Sequence, residues 1–473
     1  MSEHRDSIHG IGRDDFVDEQ ESSVEVRTIR SGRGKVDDPG KGKKGARATN
    51  LEPEILCGPD GRMGWRLSLP DGRPLATPAV VNGRLFTGGG FGSYSFYTVD
   101  ADTGRLVWKI KTKDDGPTAA TVAGEYVAFN TESCTVYVVD ASSGRVRWQS
   151  WLGDPLMAQT AIHGSTLYMV YPDRAGRHQM AAFDLERGKP RWKTEIVADV
   201  ISAPVVVDGS VYATSIDGTV HRIDAETGKA DWSINHRATS APWIHRGRVY
   251  MSLREEEEIG GERVSTEGYD TASVVQGERV ARKASSRRKA EYLQYKAGAQ
   301  AIYAEQDAGV GFGSEPLAAK LSMAKGLLGV GHVASVWSFQ GSRPEVFDDG
   351  IFSVLDDVVQ RLELGTKKPL WRVRVEAGDE PKTGLGRTLS PPAVSGERLY
   401  VSSNLGDLFV LDRESGEELW SLNVGAPIVS QPAVAEGKVF LGTSDGDIYA
   451  FETGDTDPVG WPMWGGGPGH NGS

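Results

Sequence analysis

The chain has 473 residues, 59 of them glycine and 12 tryptophan, with 38% hydrophobic side chains and a formal net charge of -12. That acidic excess repels a nucleic-acid backbone, and two cysteines, Cys57 and Cys134, are too few for a disulfide framework or a cysteine zinc site. Many glycines between short apolar runs point to a soluble, mostly β protein.

Residues 1–54 read as a disordered tail. Acids crowd the first half of 1–50 and bases the second, and such a segment buries too little apolar surface to offset the entropy of ordering it. The start, MSEHRDSIHG, lacks the apolar core of a secretory signal, and no run of about 18 apolar residues appears anywhere. The chain as written therefore reads as cytoplasmic, with no transmembrane segment.

A repeat then takes over. It reads DADTGRLVW from Asp100, DASSGRVRW from Asp140, DLERGKPRW from Asp184, DAETGKADW from Asp224 and DRESGEELW from Asp412. Glycine supplies the positive φ that a hairpin turn of this length needs, and the aspartate accepts hydrogen bonds from the turn amides. The tryptophan fills the wedge between two twisted sheets. Looser copies end at Trp65, at Trp371 with Lys367 in the glycine position, and at Trp461. The marker series is thus Trp65, Trp108, Trp148, Trp192, Trp232, Trp371, Trp420 and Trp461.

Upstream of each marker lies a second hairpin of the form TPAVVNGRLF or SAPVVVDGSVY. Four strands in about 40 residues are one propeller blade. The count is eight: an all-β, eight-bladed β-propeller of four-stranded blades. Blades 1–5 occupy 55–281, including an N-terminal strand at about 62–70 that closes the ring beside the last blade and protects its edges. Blades 6–8 occupy 343–464, and 465–473 reads as a flexible C-terminus.

The interval between blades 5 and 6 holds an insertion at 282–342. SSRRKAEYLQYKAGAQAIYAE and SEPLAAKLSMAKGLLG have helical periodicity, with Ser314 as a cap. An acidic run, Glu255 to Glu258, precedes a basic cluster of Arg279, Arg282, Lys283, Arg287, Arg288 and Lys289, whose simplest role is a solvated surface. The insertion ends in VASVWSFQGSRP, where Trp337, Phe339, Gln340 and Arg343 combine the residue types of binding hot spots. These four are the candidate partner-binding residues, with stapling of the insertion to the ring as the structural alternative.

The Asp, Gly and Trp spacing resembles the tryptophan-docking motif of pyrroloquinoline-quinone (PQQ) dehydrogenase propellers and their non-enzymatic relatives, among them outer-membrane assembly factor B and the sensor regions of bacterial kinases. The resemblance covers about 400 residues and implies the fold, since fold does not imply function. It also implies an extracytoplasmic location as the alternative to a cytoplasmic one. In the dehydrogenases a disulfide between adjacent cysteines covers the quinone beside a calcium ion. Here the two cysteines are 77 positions apart, and no residue matches the calcium ligands.

Other chemistry finds little support. Nine histidines are scattered without metal spacing, and neither a GxSxG elbow nor a Walker loop is present. The glycines at 309, 311 and 313 lack the strand that a dinucleotide loop requires. Asp356 and Asp357 are adjacent, so on a strand they face opposite ways. The reading is a non-enzymatic, protein-binding scaffold without a cofactor, whose partner engages the ring end that carries the insertion. A PQQ-dependent dehydrogenase using quinone with calcium, and a small-ligand sensor, are the alternatives.

Overall fold

A computed structural model describes residues 24–30, 34–36, 51–90, 92–153, 158–200, 202–259, 262–289, 344–355, 357–376, 389–428, 430–455, 460–463 and 465–469. Blade 1 is a four-stranded antiparallel meander of Ala79–Val81, Arg84–Gly88, Ser95–Asp100 and Leu106–Lys111. The same meander recurs at 121–151, 161–196, 205–235, 243–289, 345–376 and 393–423. Blade 8 takes three strands from 433–452, and its fourth, Met63–Ser68, pairs antiparallel with Asp447–Glu452. The ring is therefore eight-bladed, as the repeat count predicts, and is closed by two distant parts of the chain.

In a meander successive turns alternate ends. One end of the ring, the turn face, holds the first hairpin of every blade and the Asp–Gly turns. The other, the hairpin face, holds the second hairpins and the blade-to-blade connections. The core lies between blades: Val136, Val138, Leu167, Met169, Met180 and Val211, for example, share one cluster across blades 2, 3 and 4.

The outer strands lock each blade to the next. Trp108, Trp148, Trp192, Trp232, Trp371, Trp420 and Trp65 occupy one register position, opposite Thr98, Val138, Ala182, Arg222, Arg361, Val410 and Ala450. The indole Nε1 groups of Trp65, Trp108, Trp148, Trp192, Trp232 and Trp371 donate to the carbonyl following the turn-opening residue of the next blade, at Ala101, Ala141, Leu185, Ala225, Val274 and Arg413, over 2.8 to 3.2 Å. Beneath each ring lies the turn glycine. At Gly188 (φ +66°) a Cβ would stand 2.7 Å from the indole of Trp148.

Blade 5 breaks this pattern. The residue in the tryptophan position, opposite Thr271, is Ala281. With no indole above it, the next turn carries Lys367 at φ +57°, and its buried ammonium donates to Thr271 Oγ1 over 2.9 Å. At the seam from blade 7 to blade 8 the turn is split between chain segments, and the Arg62 guanidinium stacks on Trp420 at 3.9 Å.

Four expectations are corrected. Trp461 is not the marker of blade 8, a position that Trp65 takes; Gly460–Trp461 forms a short strand on the inner edge of blade 7, pairing with Val394 and Ser395. Residues 1–54 are not uniformly an unstructured tail. Val26–Arg30 pairs parallel with blade 6 from Arg372 to Glu376, Lys35 bridges to Asn423 on blade 7, and Glu54–Cys57 extends blade 8 beyond Met63–Ser68. An exposed strand edge offers unpaired amides to any extended segment, whatever its side chains. The insertion does not begin at 282, because Arg279–Lys289 is the outer strand of blade 5. Residues 465–469 are held rather than loose: Val122 and Ile162 donate backbone hydrogen bonds to Pro468 and Gly469. Among the described residues no helix occurs; the two expected helices lie outside them.

Candidate protein-interaction face

Blade 5 differs from the rest in strand length. Its second, third and fourth strands, Arg248–Ile259, Glu262–Ser273 and Arg279–Lys289, have 12, 12 and 11 residues, against five to six in blade 1. The surplus of about six residues, at about 3.3 Å each, lifts a three-stranded tongue ~20 Å above the hairpin face. The acidic run Glu255 to Glu258 lies on one flanking strand of the tongue, and Arg287, Arg288 and Lys289 lie on the other, separated by the central strand from Arg263 to Thr266. Past the bridge from Ala238 to Leu253, neither flank has a further strand partner among the described residues. Trp337, Phe339, Gln340 and Arg343 belong to the segment between Lys289 and Pro344 and lie outside the described residues.

On the same face, two apolar side chains are exposed where they leave the outer strands: Trp151 on blade 2 (58%) and Val197 after blade 3 (62%). Sequence reasoning missed Trp151. The signal was its spacing of three from Trp148, which on a strand turns the second indole away from the one that docks.

A polar corner joins blades 1 and 2 there. Ser93 Oγ donates to Asp71, Ser133 donates through N and Oγ to Asp114, and the Glu132 amide donates to the Asp115 carbonyl. Burial raises the Asp115 carboxyl above the usual carboxylate range; a hydrogen bond with Glu132 pulls it down and the charge of Asp114 adds to the rise. Among the described residues no group of three His, Cys, Asp or Glu side chains is placed to hold a metal ion.

The buried groups within the ring tie its parts together. Gln431 Nε2, on blade 8, donates to Pro392 O of blade 7 over 2.7 Å and to Glu345 Oε1 of blade 6 over 3.2 Å. His221, 1% exposed on blade 4, is held between Ser215 Oγ at 2.7 Å and Ser233 Oγ at 2.8 Å. Burial pushes its pKa from 6.5 to about 4. A base depressed in this way contributes stability above its unfolded pKa and loses it as pH falls from 6.5 towards 4. Going from pH 7 to pH 5 therefore costs about 2 kcal/mol at this residue. In melts at both pH values, His221→Gln shows a smaller acid-induced drop than the native chain, and equal drops count against this role.

A family model described as outer membrane protein assembly factor BamB matches residues 53–150, 132–287 and 355–459. The chain belongs to this family of PQQ-type propellers. The BamB of Bordetella pertussis is 27% identical over 342 residues, covering 70% of this chain and 81% of that protein. The quinohemoprotein alcohol dehydrogenase ADH-IIG of Pseudomonas putida is 28% identical over 187 residues, 36% of this chain and 21% of that enzyme. Two solved structures share the fold: BamB from Moraxella catarrhalis (TM-score 0.52, 14% identity, 82% of this chain and 98% of that one) and a quinohemoprotein alcohol dehydrogenase from Comamonas testosteroni (TM-score 0.55, 12% identity, 85% and 77%). The family thus contains assembly factors and resembles enzymes on the same ring.

Cys57 lies exposed on the added outer strand of blade 8 and Cys134 is buried in blade 2, so no disulfide between adjacent cysteines can cover a cofactor. No helix among the described residues is long and apolar enough to cross a membrane.

Proposed function

We propose that the protein is a non-enzymatic scaffold that binds another protein through its hairpin face. The tongue of blade 5 carries this reading. It is the one blade of the eight, among the described residues, whose strands rise well clear of the ring, and its flanks offer main-chain donors and acceptors to an extended segment of a partner. Trp151 and Val197 add apolar contact on the same side. Membership in a family named for the assembly of outer membrane proteins supports a protein partner. It also favours an extracytoplasmic place of work over the cytoplasmic one expected from the chain alone.

The test replaces 290–343 by a short linker and, separately, trims the tongue to the length of its neighbours. A cut beginning at 282 would damage the outer strand of blade 5. Both variants keep a folded ring by circular dichroism, and both lose the partners that the native chain captures by in-cell crosslinking. Retention of every partner by both variants sinks the proposal. On this reading quinone and calcium have no part, and adding them leaves the melting temperature unchanged.

A further inference from the structure

The innermost strands of the ring have three residues each, and pairing with the second strand uses the first and third. The middle residue therefore directs its N–H and C=O towards the axis. Val122, Ile162, Val394 and Val434 hold this position in blades 2, 3, 7 and 8. Their side chains are buried between blades, so only the backbone faces the channel.

Residues 460–463 and 465–469 follow these edges around the ring. Gly460–Trp461 pairs with blade 7, and Val434 of blade 8 donates to Pro462 O over 2.7 Å. Met463, 4% exposed, sinks into the cluster that joins blades 8 and 1 through Ala433, Phe440, Leu75 and Val80. Val122 of blade 2 then donates to Pro468 O over 2.6 Å and Ile162 of blade 3 to Gly469 O over 2.9 Å. The arc spans five consecutive blades. Gly465 and Gly466, at φ +77° and +80°, bend the segment around the axis in a conformation that other residues rarely adopt.

We propose that the inner rim of blades 7, 8, 1, 2 and 3 is a binding surface for an extended, glycine- and proline-rich strand, and that residues 460–463 and 465–469 are its ligand within the chain. Recognition rests on edge amides and one apolar anchor, Met463. Such a site reads backbone geometry rather than charge, and it accepts the same segment supplied from outside once the resident one is weakened.

The experiment uses the full chain and its Met463→Asp variant, followed by hydrogen exchange and by titration with a labelled peptide of residues 458–471. In the native chain the amides of Val122, Ile162 and Val434 are protected and the peptide does not bind. In the variant these three exchange about tenfold faster or more, while Val138 and Val211 within the blades stay protected, and the peptide binds saturably and restores protection. Should Met463→Asp fail to fold, Gly466→Val disrupts the bend without placing a charge in the core. Unchanged exchange at the three amides in a folded variant, or a peptide that does not restore their protection, overturns the proposal.

Discussion

Replacing Trp65 by alanine lowers the stability of the ring by about 4 kcal/mol, the range of large-to-small changes at fully buried aromatics. Trp65 is 2% exposed, its indole donates to Ala101 O over 3.2 Å, Gly104 lies beneath it, and Phe440 packs at 6.2 Å. It also stands at the seam where an N-terminal strand completes blade 8 and meets blade 1. Loss of the side chain leaves a cavity that neither blade can fill, since both are held by their own ladders. Trp192, half-buried in the equivalent position of blade 3, loses less area on the same change, and Trp192→Ala costs about half as much. Urea unfolding with an unchanged m value measures both, and equal costs would show that the seam carries no special weight.

Gly188→Val destabilises by a similar amount, about 4 kcal/mol, for two separate reasons. The φ of +66° disfavours any β-branched residue, and the Cβ would press on Trp148 at 2.7 Å. Lys367→Gly is the informative partner. It relieves a left-handed φ but removes the bond to Thr271 Oγ1, and these terms of about 1 kcal/mol each largely cancel. A large loss at Gly188 beside a change within about 1 kcal/mol at Lys367 identifies the overlying indole as the cause. If Lys367→Gly stabilises the ring by about as much as Gly188→Val destabilises it, turn geometry alone explains the glycine.

The pairing of Gly277 with Ala281 was readable in the sequence, four residues apart like every other glycine and marker. Ala281 stands there where the other blades carry an indole, and Trp461 lies outside the marker register, pairing with Val394 on the inner edge of blade 7. The stretched hairpin of blade 5 was likewise legible in outline. That the basic cluster continues the outer strand emerged only from its register against Val264, Ser265 and Thr266. Trp337, Phe339, Gln340 and Arg343 keep the standing the sequence gives them, as candidates for contact with a partner.

By itself the sequence determined the repeat: the blade count, the Asp–Gly turns and the glycine beneath an indole, all set by local backbone preference and by contacts between neighbouring units of constant length. Tertiary structure alone decided which segments lace the edges of the ring. VRTIR on the outer rim of blade 6 and the segments 460–463 and 465–469 around the axis share no pattern, because strand-edge pairing is made by main-chain groups that every residue but proline carries in full. Where such a segment lies is set by the edges left open once the ring has closed, and that depends on the whole fold.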